Sequence, residues 1–220
     1  VLLSISLLIL PYLLGSIATA VWVSQIGYGV DIRTQGSNNA GSTNMFRMLG
    51  FKAGLITQVV DIGKGSLASC LPLIAAAYFP HAPHWLSGWS MEMQQLACGL
   101  ICVIGHIYPV FAQFKGGKGV NTLLGMMLVT NPLAAGICLV TWIVLLYLTR
   151  YVAVASMGAV ATYPILLLVV GLLAEGVDVP HLLLGLGMVA LVVFTHRSNV
   201  QRLRSGTEPK NRWFEGKVKG

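Results

Sequence analysis

Apolar stretches at 1–24, 53–79, 94–112, 119–130, 132–149, 151–173 and 181–196 take up most of this chain and leave little for a water-soluble core. A helix needs about 20 apolar residues to cross roughly 30 Å of hydrocarbon. Inside lipid every backbone N–H and C=O must be paired within the protein, which restricts spanning elements to helices or closed barrels. Runs of this length, with 55% hydrophobic and 10% charged residues overall, specify an all-α integral membrane protein with seven transmembrane helices. The piece at 119–130 is short and is expected to span only when tilted or shielded by its neighbours. The remainder forms a single integral domain over 1–220, with no soluble module and no convincing repeat.

Ala18-Thr19-Ala20 imitates a signal-peptidase site. No basic residue precedes the first apolar run, however, and Val21-Trp22-Val23 continues it, so a retained helix is expected. With Val1 as the first residue, an initiator is expected to precede it.

Basic residues orient the spans. Thirteen of the 14 Lys and Arg lie at Arg33, Arg47 and Lys52, at Lys115 and Lys118, at Arg150, and in the tail from Arg197. The stretches 80–93, 130–131 and 174–180 carry none, whereas Glu92, Glu175 and Asp178 lie there. By the positive-inside rule the amino terminus is outside and the carboxyl terminus, with its basic tail from 196, is cytoplasmic. The net charge of +7 is then explained by anionic lipid headgroups, and no nucleic-acid partner is called for. On the external side, Pro80, Pro83, Pro132 and Pro180 mark turns, and Trp85 and Trp89 suit the membrane interface. His81 and His84 in the same loop are weak metal candidates. Cys70, Cys98, Cys102 and Cys138 lie in apolar spans without ligand partners at useful spacing, which favours packing.

Three polar, glycine-rich segments interrupt the apolar pattern, and this topology puts all of them on the cytoplasmic face. The first, GSNNAGSTNMFR (36–47), offers Ser37, Gly41, Ser42, Thr43, Asn44 and Arg47. Glycine lets backbone approach a ligand, successive amides can form an anion-binding concavity, and arginine can grip a phosphate in bidentate fashion. An ordinary polar loop explains this segment equally well on its own. The second, GHIYPVFAQFKGGKGVNT (105–122), sets Lys115 and Lys118 around Gly116 and Gly117. Gly119 follows Lys118, which argues against the nucleotide P-loop pattern; capture of phosphate by glycine amides and lysine fits the segment, whereas a plain membrane-surface loop explains the lysines but not the glycine density. Pro109 should kink or end the third span. The third, HRSNVQRLRSGTE (196–208), brings His196, Asn199, Arg202 and Glu208. Asn199 and Arg202 share a face if the helix continues, and His196 is a candidate base. Asp61 and Lys64, three apart within the second span, are read as a structural ion pair. Ser156 can face the site or pack between helices.

The three motifs in this order, G-S-x-N-x-G-[AS]-T-N-x-x-R, G-H-x-x-P-x-F-x-x-F-K-G-G-K-G-V-x-T and H-x-x-N-[IV]-x-R-L-x-x-G-x-E, resemble the PlsY family of bacterial acyl-phosphate:glycerol-3-phosphate acyltransferases. The resemblance covers nearly the whole chain. It departs at Ala40, where the family commonly has proline, and at Asn38, which replaces a frequent glycine. It implies an acyltransferase of the bacterial inner membrane that acts in phospholipid synthesis. Acyl would pass from acyl phosphate to the 1-hydroxyl of sn-glycerol 3-phosphate, giving lysophosphatidic acid and phosphate, with no coenzyme A or acyl carrier protein as direct donor.

On that reading Ser37, Gly41, Ser42, Thr43 and Arg47 are expected to hold the acyl-phosphate head. Lys115 and Lys118, with His196 and Asn199, would hold glycerol phosphate or the leaving phosphate. No metal or cofactor is required, because arginine and lysine can neutralise the phosphate. No serine or cysteine has an evident base and orienting acid, so a covalent acyl-enzyme is disfavoured. The proton acceptor is either substrate phosphate or His196. Rival readings are a membrane acyltransferase using a thioester donor, which lacks the H-x-x-x-x-D pair here, and a phosphate or phospholipid transporter, which lacks matching chemistry in the external loops.

Overall fold

The structure is a computed structural model that describes residues 2–80, 88–174 and 176–211. The readings on His81, His84, Pro83, Trp85, Glu175 and the last nine residues of the basic tail lie outside these. The described residues are helical and contain no strand. Two compact units, Val1–Pro132 and Leu133–Gly220, divide the chain.

In the first unit α1 (Leu2–Gly15) and α2 (Thr19–Tyr28) replace the single helix expected over 1–24. They are bent by 41° at the break. The bend serves contacts with residues distant in sequence. It frees the Ile17 carbonyl from the helix ladder to accept from Lys64 Nζ at 3.0 Å, and Ser16 Oγ accepts from the Val110 amide at 3.3 Å. The short α3 (Ser42–Leu49) leads into α4 (Phe51–Tyr78), which is 28 residues long. Then follow α5 (Met91–Ile107) and α6 (Val120–Thr130). Helix α5 ends just before Pro109, as the sequence implied, and single 3-10 turns occupy Ile32–Thr34 and Val110–Ala112.

Small residues let these helices touch at the backbone. A Cβ added to Gly15 or Gly105 would strike the Cys102 or Tyr12 carbonyl between α1 and α5. One added to Gly65 or Gly125 would strike the Thr122 or Ile62 carbonyl between α4 and α6. Such contacts draw membrane helices together where the hydrophobic effect cannot. At 11 residues α6 is about 16 Å long, well short of the bilayer core. Its buried face (Thr122, Leu123, Gly125, Met126, Met127) packs on α4 and α5, the shielding expected for it.

In the second unit α7 (Pro132–Thr149, whose first residue closes the first unit) precedes α8 (Val152–Leu173) and α9 (Val179–Thr195). Helix α10 (Arg197–Arg204) turns 61° away from α9. Asp178 caps α9 and pairs with His181 at 2.7 Å, and hydrogen bonding from His181 holds its carboxyl below the ordinary value. Leu145 lies against Gly158, and Trp142 Nε1 donates to Ser156 Oγ at 3.2 Å.

Helices α4, α7, α8 and the stretch Met91–Ala112 are long and apolar enough to cross a membrane, and counting each bent pair as one span raises four to six. Exposed Leu, Ile, Val and Phe side chains line these helices, the surface a lipid-facing protein presents. The chain is a multi-pass membrane protein.

Candidate functional site

The first polar segment folds around Asn44. Its Nδ2 donates to the carbonyls of Ile32 (3.2 Å), Gln35 (2.9 Å) and Asn39 (3.2 Å), and its Oδ1 accepts from the Ser37 amide at 3.1 Å. Asn44 is 1% exposed. Of the residues expected at the substrate, Asn44 has its polar atoms engaged with the loop's own backbone. Chain reversal here uses positive φ at Gly36 (+56°) and Asn38 (+56°). Asparagine tolerates that conformation better than most residues, which explains how Asn38 stands where glycine is frequent. Ala40 is buried in the cluster of Ala18, Ala20, Val21, Ile32, Met45, Ala53 and Ala112 beneath the segment.

Gly41 precedes α3 in extended conformation and brings no side chain to cap it. The first amides of a helix lack intrahelical partners and suit an anion. Ser42 and Thr43 occupy that turn, half-buried Ser37 precedes it, and Arg47 is exposed on the last turn.

The second segment folds back onto the end of α5. Gly116 N donates to Ile107 O and Gly117 N to His106 O, both at 3.2 Å, so these amides cap the end of α5 instead of facing an anion. What glycine supplies is close approach. A Cβ on Gly116 would collide with the His106 carbonyl, and one on Gly117 with His106 Nε2 and the Ala40 carbonyl. Lys115 is exposed, Lys118 is half-buried, and Gly119 (φ +83°) starts α6.

Hydrogen bonds lock the two segments together. Asn121 Nδ2 donates to Ser42 Oγ at 2.9 Å, and Arg33 Nη1 donates to Ala112 O at 2.9 Å. Arg33 is itself gripped by Asp31 at 2.6 Å. Hydrogen bonds from the Arg33 side chain hold the Asp31 carboxyl below its ordinary value. Sequence reading singled out neither Arg33 nor Asn121. Asn121 lies inside the second motif, one residue into α6, and that position was the available signal.

Below these segments lies a buried charged group. Asp61 Oδ1 is 2.9 Å from Lys64 Nζ and 3.6 Å from His106 Nδ1, and it accepts from Thr19 Oγ1 at 3.4 Å. The expected ion pair is present and joined by a histidine that sequence reading left without a role.

In the second unit the third segment also folds on itself. His196 sits between α9 and α10, 3% exposed, with Nδ1 2.8 Å from Val192 O. A carbonyl can only accept, so Nδ1 is the donor in this contact, and in the neutral form of the ring the lone pair lies on Nε2. Asn199 and Arg202 do share a face of α10. Glu208 returns to join them: Oε1 accepts from Asn199 Nδ2 and Oε2 from Arg202 Nε, both at 2.7 Å. A carboxylate so engaged orients donors; it is ill suited to bind phosphate itself. Ser156 is 3% exposed and held by Trp142, the packing alternative of the two readings.

The sequence profile described as glycerol-3-phosphate acyltransferase matches residues 5–206. The chain belongs to the glycerol-3-phosphate acyltransferase family. Its relatives include glycerol-3-phosphate acyltransferases of Salinibacter ruber, 41% identical across 95% of this chain and 93% of that one. Another is from Exiguobacterium sibiricum, 42% identical across 94% and 92%. Among solved structures it is similar to PlsY (YgiH), an integral membrane glycerol 3-phosphate acyltransferase, in its glycerol 3-phosphate form. The TM-score is 0.78, with 35% identity and 94% of each chain covered. The lysophosphatidic acid form of the same protein gives a TM-score of 0.75, 34% identity and 94% coverage of each chain. As a family member, the chain is an integral-membrane acyltransferase.

Proposed function

We propose that this glycerol-3-phosphate acyltransferase moves a fatty acyl group from acyl phosphate to the 1-hydroxyl of sn-glycerol 3-phosphate at the bacterial inner membrane. Lysophosphatidic acid and inorganic phosphate are the products, in phospholipid biosynthesis. The supporting observation is the pairing of two cation-bearing segments through Asn121–Ser42 and Arg33–Ala112, with Arg47 and Lys115 left exposed. The solved relatives, captured in forms named for glycerol 3-phosphate and for lysophosphatidic acid, agree with that chemistry.

The topology that goes with it has seven crossings, α6 being the short seventh, the amino terminus outside and the carboxyl terminus inside. An oily donor then enters from the bilayer while its phosphate stays at the cytoplasmic surface. Ser37, Gly41, Ser42, Thr43 and Arg47 hold the acyl-phosphate head. Lys115 and Lys118 neutralise phosphate, and His196, Asn199 and Arg202 contribute to handling the acceptor. Gly116 and Gly117 serve by close approach, and Asn44 and Glu208 by fixing donors.

In the reaction the acceptor hydroxyl oxygen attacks the acyl carbonyl carbon and forms the ester bond. The bond from that carbon to the phosphate oxygen breaks, and the electron pair leaves with phosphate. The hydroxyl proton passes to substrate phosphate or to Nε2 of His196. Fixed donors stabilise the developing oxyanion, and positioning of the two substrates supplies further acceleration. Acyl phosphate is already activated, so no covalent enzyme intermediate is needed.

A donor panel tests this reading: purified protein with glycerol 3-phosphate and either acyl phosphate, acyl-coenzyme A or acyl carrier protein thioester. Lysophosphatidic acid from acyl phosphate alone supports it. Formation from a thioester alone overturns the donor assignment.

A further inference from the structure

The buried Asp61–Lys64–His106 group lies inside the first unit, and its histidine reaches Gly117 of the second polar segment, which in turn abuts Ala40 of the first. Asp61, Lys64 and His106 are 2%, 3% and 7% exposed. Burying three ionisable groups is unfavourable unless they are mutually satisfied, and in membrane proteins such groups commonly mark functional machinery. Here the satisfaction is directional. Lys64 is anchored by Asp61 and by the Ile17 carbonyl that the α1–α2 break exposes. Asp61 in turn holds Thr19 and faces His106 Nδ1. That contact sends the opposite edge of the ring, Nε2, toward Gly117.

Gly117 has no room there for a methyl group. It is confined by His106 Nε2 on one side and the Ala40 carbonyl of the first segment on the other, while its amide is tied to the His106 carbonyl. Lys115 and Lys118 flank this glycine pair.

We propose that His106 is a positioning residue. Clamped by the Asp61–Lys64 pair, its ring is the floor that sets the height of Gly117 and so the separation of Lys115 and Lys118 from the Ser37–Thr43 turn. The inference rests on the phosphate-handling role given above to those lysines, and it adds a residue that touches neither substrate.

The test uses full-length wild type, H106N, G117A and H106N/G117A, purified in one detergent. Steady-state kinetics with glycerol 3-phosphate, calorimetric binding of inorganic phosphate, and thermal unfolding are measured for each. A positioning role predicts that H106N raises KM for glycerol 3-phosphate by about tenfold, with kcat falling less than about threefold and phosphate binding weakened in parallel. The double variant should be little worse than G117A, because both changes disturb one contact. G117A leaves the ion pair untouched, so it carries the test if H106N fails to fold.

Unchanged KM and phosphate affinity in folded H106N or G117A would overturn the proposal. So would losses that multiply independently in the double variant. Wild type that binds phosphate yet transfers no acyl group would sink the functional reading instead. The binding ratio between variant and wild type then decides the positioning role by the same criteria.

Discussion

Arg47 and Lys115 stand exposed on segments that hydrogen bonds hold together, so each is open to a phosphate oxygen. A charge-assisted hydrogen bond contributes roughly 1.5–3 kcal/mol, so Arg47→Ala and Lys115→Ala should each cut kcat/KM by about 10- to 100-fold. Normal membrane insertion and an unchanged unfolding temperature would place that loss in the site. Asn44→Ala should behave differently. It strips the NH2 donor from three carbonyls and the acceptor from the Ser37 amide, at a cost of about 1–3 kcal/mol per group left buried and unpaired. Thermal unfolding should register it before substrate affinity does; a pure KM effect would return Asn44 to the list of ligands. His196→Gln separates the two proton routes: near-normal turnover removes the histidine as base. The residue types at these positions were legible in the motifs. Their division of labour was not, because a side chain's partner depends on backbone that only the fold brings near. For that reason the internal hydrogen bonds of Asn44 and Glu208 were not visible, nor were the linking contacts of Arg33, Asn121 and His106.

Among the elements, the α4–α6 contact is the tightest point that glycine permits. Gly125→Val would push a branched side chain into the Ile62 carbonyl, and overpacking of this kind typically costs about 1–3 kcal/mol. A lower unfolding temperature in detergent checks it, whereas substitution of Gly63, which has open space beside it, should be mild. The Asp31–Arg33 pair, which holds Arg33 against the Ala112 carbonyl, adds a pH dependence. The Asp31 carboxyl is held below its ordinary value of 3.8 chiefly by hydrogen bonds from Arg33. Its stabilisation is therefore complete above that value and lost as pH falls through the lower folded-state pKa. Arg33→Ala should reduce the acid-dependent part of the unfolding curve, the share from Asp178 and His181 remaining; an unaltered curve would deny the clamp any weight. Helix existence and most span limits were readable from run length alone. The bends at 16–18 and at His196 were not, since each depends on distant partners or on a chain turn that apolar periodicity does not encode.

On the scale of the whole molecule, the positive-inside pattern makes a claim that side-directed labelling can check. Single cysteines introduced near Arg47, Lys115 and Arg197 should react from the cytoplasmic side, and one near Asp178 from the other. Labelling of those three positions from both sides would refute the seven-span topology. The central claim concerns which bond is broken and when. Purified wild type should release inorganic phosphate from acyl phosphate only when glycerol 3-phosphate is present, with one lysophosphatidic acid formed for each phosphate. Release that proceeds equally well without the acceptor, or that yields no lysophosphatidic acid, would contradict it.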